Sequence, residues 1–435
     1  MRNTRLLIAL GFLTLSLGAH AAAVRGKAAH APAPAPTGPV KIEFSHLLDE
    51  ESAERLEPLV ARFNSQQKDA QVTLVRRVAG EPPKQLNLVT PDEQARFALQ
   101  KAKFKPLYEV MKAAKEPFDA GKLSPELRDG LSDAKGQLMA LPLAFSTPVL
   151  YINKAAFRKA GLNPDVPPKT WQEMQDTAGK LFEAGERCPF TTSWPVWVFL
   201  DNMSAWSGVE VGDPKGQPAF NGLVQVKHVA MMSSWYKAKY FHTFGYRDEA
   251  DRRFANGDCA MLTSSSSLYT SLLDSKAVET GVSALPYHDD VYGAPKHTLA
   301  DGASLWVSGE LKPAEVKGVA KFVNYLLGPE VQINLTALGG FLPLTSVARA
   351  TAGSRLLQSD LEAVRVAFSQ LQGQGKAGSP KLRLSQFERV RSILEEELDA
   401  VWANRKPAKE ALDDAVARAN SAVRMLVDSR QRRVK

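Results

Sequence analysis

From Val40 onward the chain switches between two hydrophobic periods, and that switching restricts its fold more than any other feature. Val40-Lys41-Ile42-Glu43-Phe44 puts an apolar side chain at every second position, the period of a half-buried strand. Leu56, Leu59, Val60 and Phe63 follow at helical spacing behind an acidic start. Residues 72–75 and 86–89 then return to short apolar runs of strand type. Strand, helix and strand in this order predict an α/β lobe on a mainly parallel sheet, because parallel neighbours need a covering crossover between them.

The rhythm continues. Residues 137–143 and 148–152 read as extended segments, and 153–160 as a short helix ending at Gly161. Thr170 and Glu173 have capping-box spacing, so a helix should open there with Met174, Ala178, Leu181 and Phe182 on its apolar face. Residues 226–235 and 316–327 predict two more amphipathic helices, the second stopped by Gly328-Pro329. Beyond about residue 345 the pattern is helical. Phe387, Val390, Leu394, Leu398 and Val401 line one face, and Leu412, Val416, Ala419, Val423 and Leu426 line the last one.

The N-terminal end carries a different kind of information. Arg2 and Arg5, the apolar stretch 6–18 and the small-residue site Ala19-His20-Ala21 form the three parts of a secretory signal. The stretch is short of the roughly 20 residues that span a bilayer. Residues 1–21 are therefore expected to be cleaved as a signal peptide, and 22–39, rich in Ala and Pro, to form an extended tether. An exported chain meets an oxidising compartment, where Cys188 and Cys259 could pair; two buried free thiols fit the sequence equally well. The net charge of +8 is dispersed except in residues 430–435. A nucleic-acid partner would need a basic stripe, so none is expected.

Familiar catalytic patterns are missing. There is no His-Glu-x-x-His and no phosphate-cradling Gly-x-x-x-x-Gly-Lys loop, and Gly302-Ala303-Ser304-Leu305-Trp306 lacks the final glycine of a nucleophile elbow. Other residues suggest binding. Trp171, Trp194, Trp197, Trp206 and Trp235 crowd one part of the chain, either as core or as the aromatic wall of a pocket. Ser264-Ser265-Ser266-Ser267 follows an apolar run, either capping a helix or facing an anion. Arg391 lies on or beside the buried face of its helix, where its charge needs an acidic partner, a path to the rim or a bound anion.

Several segments together resemble the extracellular solute-binding proteins of sugar-type importers. They are the run from Pro148 to Gly161 with Pro167-Pro168-Lys169-Thr170-Trp171, then Phe254 to Met261 and Ala320 to Gln332. Phe145-Ser146-Thr147-Pro148-Val149, the Trp194/Trp197/Trp206 group, Gly302 to Val307 and the helix around Arg391 are similar to the subfamily whose members bind sn-glycerol 3-phosphate. The resemblance implies a two-lobed periplasmic-binding-protein fold with a hinge between α/β lobes: residues 40–147 plus 300–338 in lobe 1, and 148–299 plus 339–435 in lobe 2. It implies a monomeric periplasmic receptor, not an enzyme, with no cofactor and no metal. Its ligand would be a small phosphorylated polyol, and its partners the membrane subunits of an ATP-binding-cassette importer. A different solute such as a sugar, a secreted hydrolase of phosphodiesters or glycans, and a scaffold without transport are the alternatives.

By the same resemblance Ser146 and Ser265 contact the ligand, the Gly302 backbone approaches it, Arg391 holds its phosphate, and Trp171 and Trp194 line the cleft. The chain also departs from the subfamily. A helix and a ligand tyrosine between the second and third strands are missing, and Phe341 stands where a tyrosine is usual. Asp92 or Glu93 is the rough counterpart of a ligand glutamate, and Ser45-His46 replaces a tryptophan-histidine pair. The phosphate side of the site is thus expected to be kept and the glycerol side altered.

Overall fold

The computed structural model describes residues 38–48, 50–78, 81–90, 93–94, 103–133, 135–356, 361–373, 384 and 388–432. The expected signal peptide, most of the tether, Asp92 and Phe387 lie outside the described residues. Eleven strands are described: β1 (Val40–His46), β2 (Ala70–Arg76), β3 (Leu86–Val89), β4 (Phe104–Lys105), β5 (Leu141–Ser146), β6 (Pro148–Asn153), β7 (Phe190–Thr192), β8 (Phe241–His242), β9 (Met261–Ser265), β10 (Thr280–Ser283) and β11 (Asp301–Ser308).

They form two sheets, one per lobe. The first has the order β2-β1-β3-β11-β4, with β5 also paired to β11; the second runs β10-β6-β9-β7-β8. β1 is parallel to β2 and β3, as the strand–helix–strand rhythm predicts. The expectation of a mainly parallel sheet needs correction, because β11 is antiparallel to β3, β4 and β5. Topology explains this. β5 leaves the first lobe at Ser146, and β11 returns to it at Asp301, the residue paired with Ser146. A strand that returns beside the point of departure must run the opposite way.

Each sheet has its own core. In the first lobe Ile42, Phe44, Leu59, Phe63 and Val72 pack with Val319 and Phe322 of the Pro313–Leu326 helix. The rings of Phe63 and Phe322 meet edge to face at 4.9 Å, a favoured aromatic geometry. In the second lobe Trp171, Phe190, Phe199, Trp235 and Phe241 pack with Val390, Leu394 and Leu398 of the Glu388–Trp402 helix and with Leu412 and Ala419 of the Ala408–Arg432 helix. The capping box forms as predicted: Glu173 N donates to Thr170 Oγ1 at 3.1 Å, and Thr170 N donates to Glu173 Oε2 at 3.2 Å.

The expected lobe boundary also moves. Leu342, Leu344, Ala352 and Phe368, placed in lobe 2 by the resemblance, belong to the first core. Gly340 ends the Pro329–Gly339 helix at φ +62°, a left-handed turn that sends the chain back along its own lobe. Leu342 N then donates to Phe145 O at 3.0 Å, and Leu344 N to Gln332 Oε1 at 2.9 Å. Between β2 and β3, residues 77–78 and 81–85 hold no helix, consistent with the missing segment.

The strands pass from one sheet to the other at two adjoining places, after β5 and before β11. Thr147, at the first crossing, donates through Oγ1 to Thr298 Oγ1 at 2.9 Å and also lies 3.2 Å from the carbonyl of Leu299, at the second. Gln370 Nε2 reaches Pro148 O at 2.5 Å, and Gln370 O accepts from Thr298 N at 3.0 Å. All of these side chains are buried.

Cys188 and Cys259 form a disulfide, which settles the alternative the sequence left open. Its Cα atoms are 4.5 Å apart, and the bridge ties the chain just before β7 to the chain just before β9 across 71 residues. A closed loop of that length restricts the unfolded chain by about 4 kcal/mol. The Cys188→Ser/Cys259→Ser protein should therefore unfold in urea with about 2–4 kcal/mol less stability than the oxidised parent. Adding reductant should lower the parent to the same value and leave the variant unmoved.

Candidate functional site

The strand ends that meet at the two crossings build one wall of a cavity of about 1070 Å³, lined by residues of both lobes. Open α/β sheets place ligands beyond the ends of their strands, and here β5, β9 and β11 converge there. Ser146 closes β5 and Ser265 closes β9, and Ser265 Oγ donates to Ser146 Oγ at 2.7 Å. Ser267 Oγ lies 2.6 Å from Ser265 Oγ, so three hydroxyls form one cluster on the cavity wall.

Gly302 stands beside them at φ +153°. A Cβ on this residue would fall 2.0 Å from Ala144 O, so backbone pairing with β5 leaves no room for a side chain. Gly340 meets a similar limit against the second lobe, where a Cβ would lie 2.7 Å from Ser267 O.

The opposite part of the second-lobe wall is charged. Arg391, on the Glu388–Trp402 helix, is buried, lines the cavity and has its Nε 3.4 Å from Glu395 Oε1, one turn further on. Glu395 also pairs with Arg247. One carboxylate thus bridges two guanidinium groups on this wall. The loop carrying Arg247 is latched to the same helix, because Tyr246 Oη donates to Glu395 O at 2.9 Å and bonds Asp399.

Trp194 adopts φ +52°, uncommon for a residue with a bulky side chain. Its amide donates to Arg247 O at 2.9 Å, and the Arg247 guanidinium sits 5.7 Å from the indole centroid. Backbone strain of this kind persists only where neighbours hold it and concentrates at functional sites. The π-helical turn Trp197–Asn202 follows, and Trp197 also lines the cavity.

The structure brings Ser146, Trp194, Ser265, Gly302, Phe341 and Arg391 to the same cavity. Trp171 is a correction. It is buried inside the second core, ring to ring with His228 at 4.7 Å, and does not line the cavity. It is the first residue of the Trp171–Glu183 helix, and that helix start points its side chain inward. Asp92 lies outside the described residues, whereas its neighbour Glu93 is buried and salt-bridged to Arg77 at 2.5 Å, with Ser45 Oγ accepting from Arg77 Nη1 at 3.0 Å. Trp206 is a core residue whose Nε1 donates to Leu285 O at 2.8 Å.

Sequence reasoning did not single out Thr90, Tyr246, Arg247 or Asp251, all of which line the cavity. The last three stand in a connection and at a helix start, without a readable period. The cluster Arg247-Asp248-Glu249 was the available signal. Burial raises the Asp251 carboxyl to about 6, with the like charges of Asp248 and Glu249 adding and the hydrogen bond from Ser193 opposing.

These features are those of a receptor cleft, and residues 59–360 match the bacterial extracellular solute-binding protein family. The chain belongs to that family. It is 34% identical over 411 residues to the sn-glycerol-3-phosphate-binding periplasmic protein UgpB of Pectobacterium atrosepticum, covering 89% of this chain and 92% of the relative. It is 35% identical over 406 residues to the protein of the same name from Salmonella typhimurium, covering 88% and 92%. Among solved structures, UgpB from Mycobacterium tuberculosis in complex with glycerophosphocholine shares the fold with a TM-score of 0.75 at 20% identity, covering 90% of this chain and all of that one.

The raised Asp251 carboxyl makes stability depend on pH. A carboxyl with a folded pKa near 6 and an ordinary value of 3.8 stabilises the fold fully below 3.8 and loses that contribution as pH rises through 6. Asp251→Asn should therefore be more stable relative to the parent at pH 7.5 than at pH 4, by about 1–3 kcal/mol. Thermal unfolding of both proteins at the two pH values checks this, and a constant difference would remove Asp251 as the source.

Proposed function

We propose that this chain is a periplasmic receptor that captures sn-glycerol 3-phosphate or a related glycerol phosphate ester and hands it to the membrane subunits of an ATP-binding-cassette importer. The observation that carries the reading is Arg391, a buried guanidinium on the cavity wall that also holds the three-serine cluster. The planar fork of an arginine suits phosphate oxygens, and the serine hydroxyls and backbone amides can donate to the same group. The relatives named for sn-glycerol 3-phosphate, which share about a third of the residues along nearly the whole chain, support the same ligand chemistry.

In this reading Ser146, Ser265 and Arg391 hold the phosphate, Gly302 lets the backbone come close, and Trp194 covers the ligand from the second lobe. Phe341 faces it from the first lobe without the hydroxyl of a tyrosine. Ligand contacts on both walls favour the closed arrangement of the lobes, and the crossings at Thr147 and Thr298 absorb the movement. The membrane subunits recognise that closed form. The receptor itself needs no chemistry, because ATP hydrolysis belongs to the importer.

Calorimetric titration of the mature protein with glycerol 3-phosphate tests the reading directly. Arg391→Ala should weaken binding by about 2–5 kcal/mol while leaving the melting temperature within a few degrees, since Arg247 still pairs with Glu395. Equal affinity in the two proteins would take the phosphate away from Arg391.

A further inference from the structure

The two walls of the cavity differ in chemistry. The second lobe supplies arginines, hydroxyls and carboxylates, whereas the first supplies Leu48, Leu143, Leu335, Leu338, Ala303 and Phe341. Among the described residues that line the cavity, Thr90, Ser146 and Asp301 are the polar side chains on the first-lobe side, and Ser146 stands at the crossing, away from the leucines. All three are engaged: Thr90 Oγ1 donates to Glu93 Oε2 at 3.3 Å, Ser146 Oγ accepts from Ser265 Oγ at 2.7 Å, and Asp301 Oδ1 accepts from Gly302 N at 2.8 Å. Leu338 is 36% exposed and Phe341 is half-buried, so apolar surface stands open to the cavity.

Such a wall discriminates in a definite direction. A hydroxyl brought against it gives up water and gains no partner, whereas a methylene gains by leaving water. The cavity of about 1070 Å³ is also at the upper end of the range for drug-sized ligands, far larger than a three-carbon phosphate requires. We propose that the preferred ligand is an amphiphilic phosphate ester: a glycerol phosphate carrying a short acyl or alkyl chain, with the phosphate on the Arg391 side and the chain against Leu48, Leu335, Leu338 and Phe341. The inference rests on the phosphate reading of Arg391 and adds to it what the opposite wall selects.

Titration with glycerol 3-phosphate, 1-butanoyl-sn-glycerol 3-phosphate and 1-hexanoyl-sn-glycerol 3-phosphate, all below their micellar concentrations, tests it. Affinity should rise about three- to fourfold per methylene, so that the hexanoyl ester binds about tenfold more tightly than the butanoyl ester. In Leu338→Asn that ratio should fall toward one, with near-ultraviolet circular dichroism reporting an intact fold. A flat or falling series in the parent, with glycerol 3-phosphate bound, overturns the chain site and leaves the phosphate receptor standing. No binding by any of the three esters overturns both. Hexanoyl binding that persists unchanged in Arg391→Ala also overturns the proposal, since the chain would then be adhering without its phosphate.

Discussion

The architecture depends on a pair of buried hydroxyls. Thr147 and Thr298 sit where the chain passes between sheets, in opposite directions, and their side chains bond at 2.9 Å. Extended backbone at a crossing cannot satisfy its groups within either sheet, so the side chains of Thr147, Ser266 and Gln370 take over that task. The same clamp sets β5 beside β11 and brings the ends of β5, β9 and β11 to one point. The three serines and Gly302 owe their neighbourhood to it.

The cavity divides its work between its walls. Charge is concentrated on the second lobe, and Glu395 holds Arg391 and Arg247 in place before any ligand arrives. Such preorganisation reduces the ordering that binding would otherwise require. The first lobe keeps its polar network below the surface instead, with Arg77, Ser45, Asn87 and Glu93 bonded to one another beneath the strand ends. The described residues that meet the cavity from this side are largely apolar.

Local order was readable in the sequence; long-range placement was only partly so. β1, β3 and the Thr170 capping box fell where periodicity and side-chain chemistry put them, because each is decided by residues close together along the chain. The direction of β11 was not readable, since it depends on where a strand over 150 residues earlier leaves its sheet. Trp171 misled because an indole suits a core and a pocket equally, and only the direction of its helix start decides between them. Arg391 could be flagged from its spacing, but an acidic partner such as Glu395 already satisfies the rule that a buried charge is paired, and the resemblance was needed to prefer an anion. Arg247 and Asp251 had no such rule to break.

Neither lobe is a continuous piece of chain. The first core takes residues from Ile42 to Phe145 and again from Ala300 to Leu371, and the second spans Leu150 to Leu285 but is completed by residues from Leu384 to Ala422. A chain that emerges from its N-terminus therefore passes nearly its whole length before the second core has all its parts. Until the closing helices arrive, Trp171, Phe190 and Phe241 lack the leucines and alanines that finally cover them. Interleaving of this kind postpones cooperative folding to the end of synthesis. The moment at which the second core can close is thus written into the order of its segments rather than into any one of them.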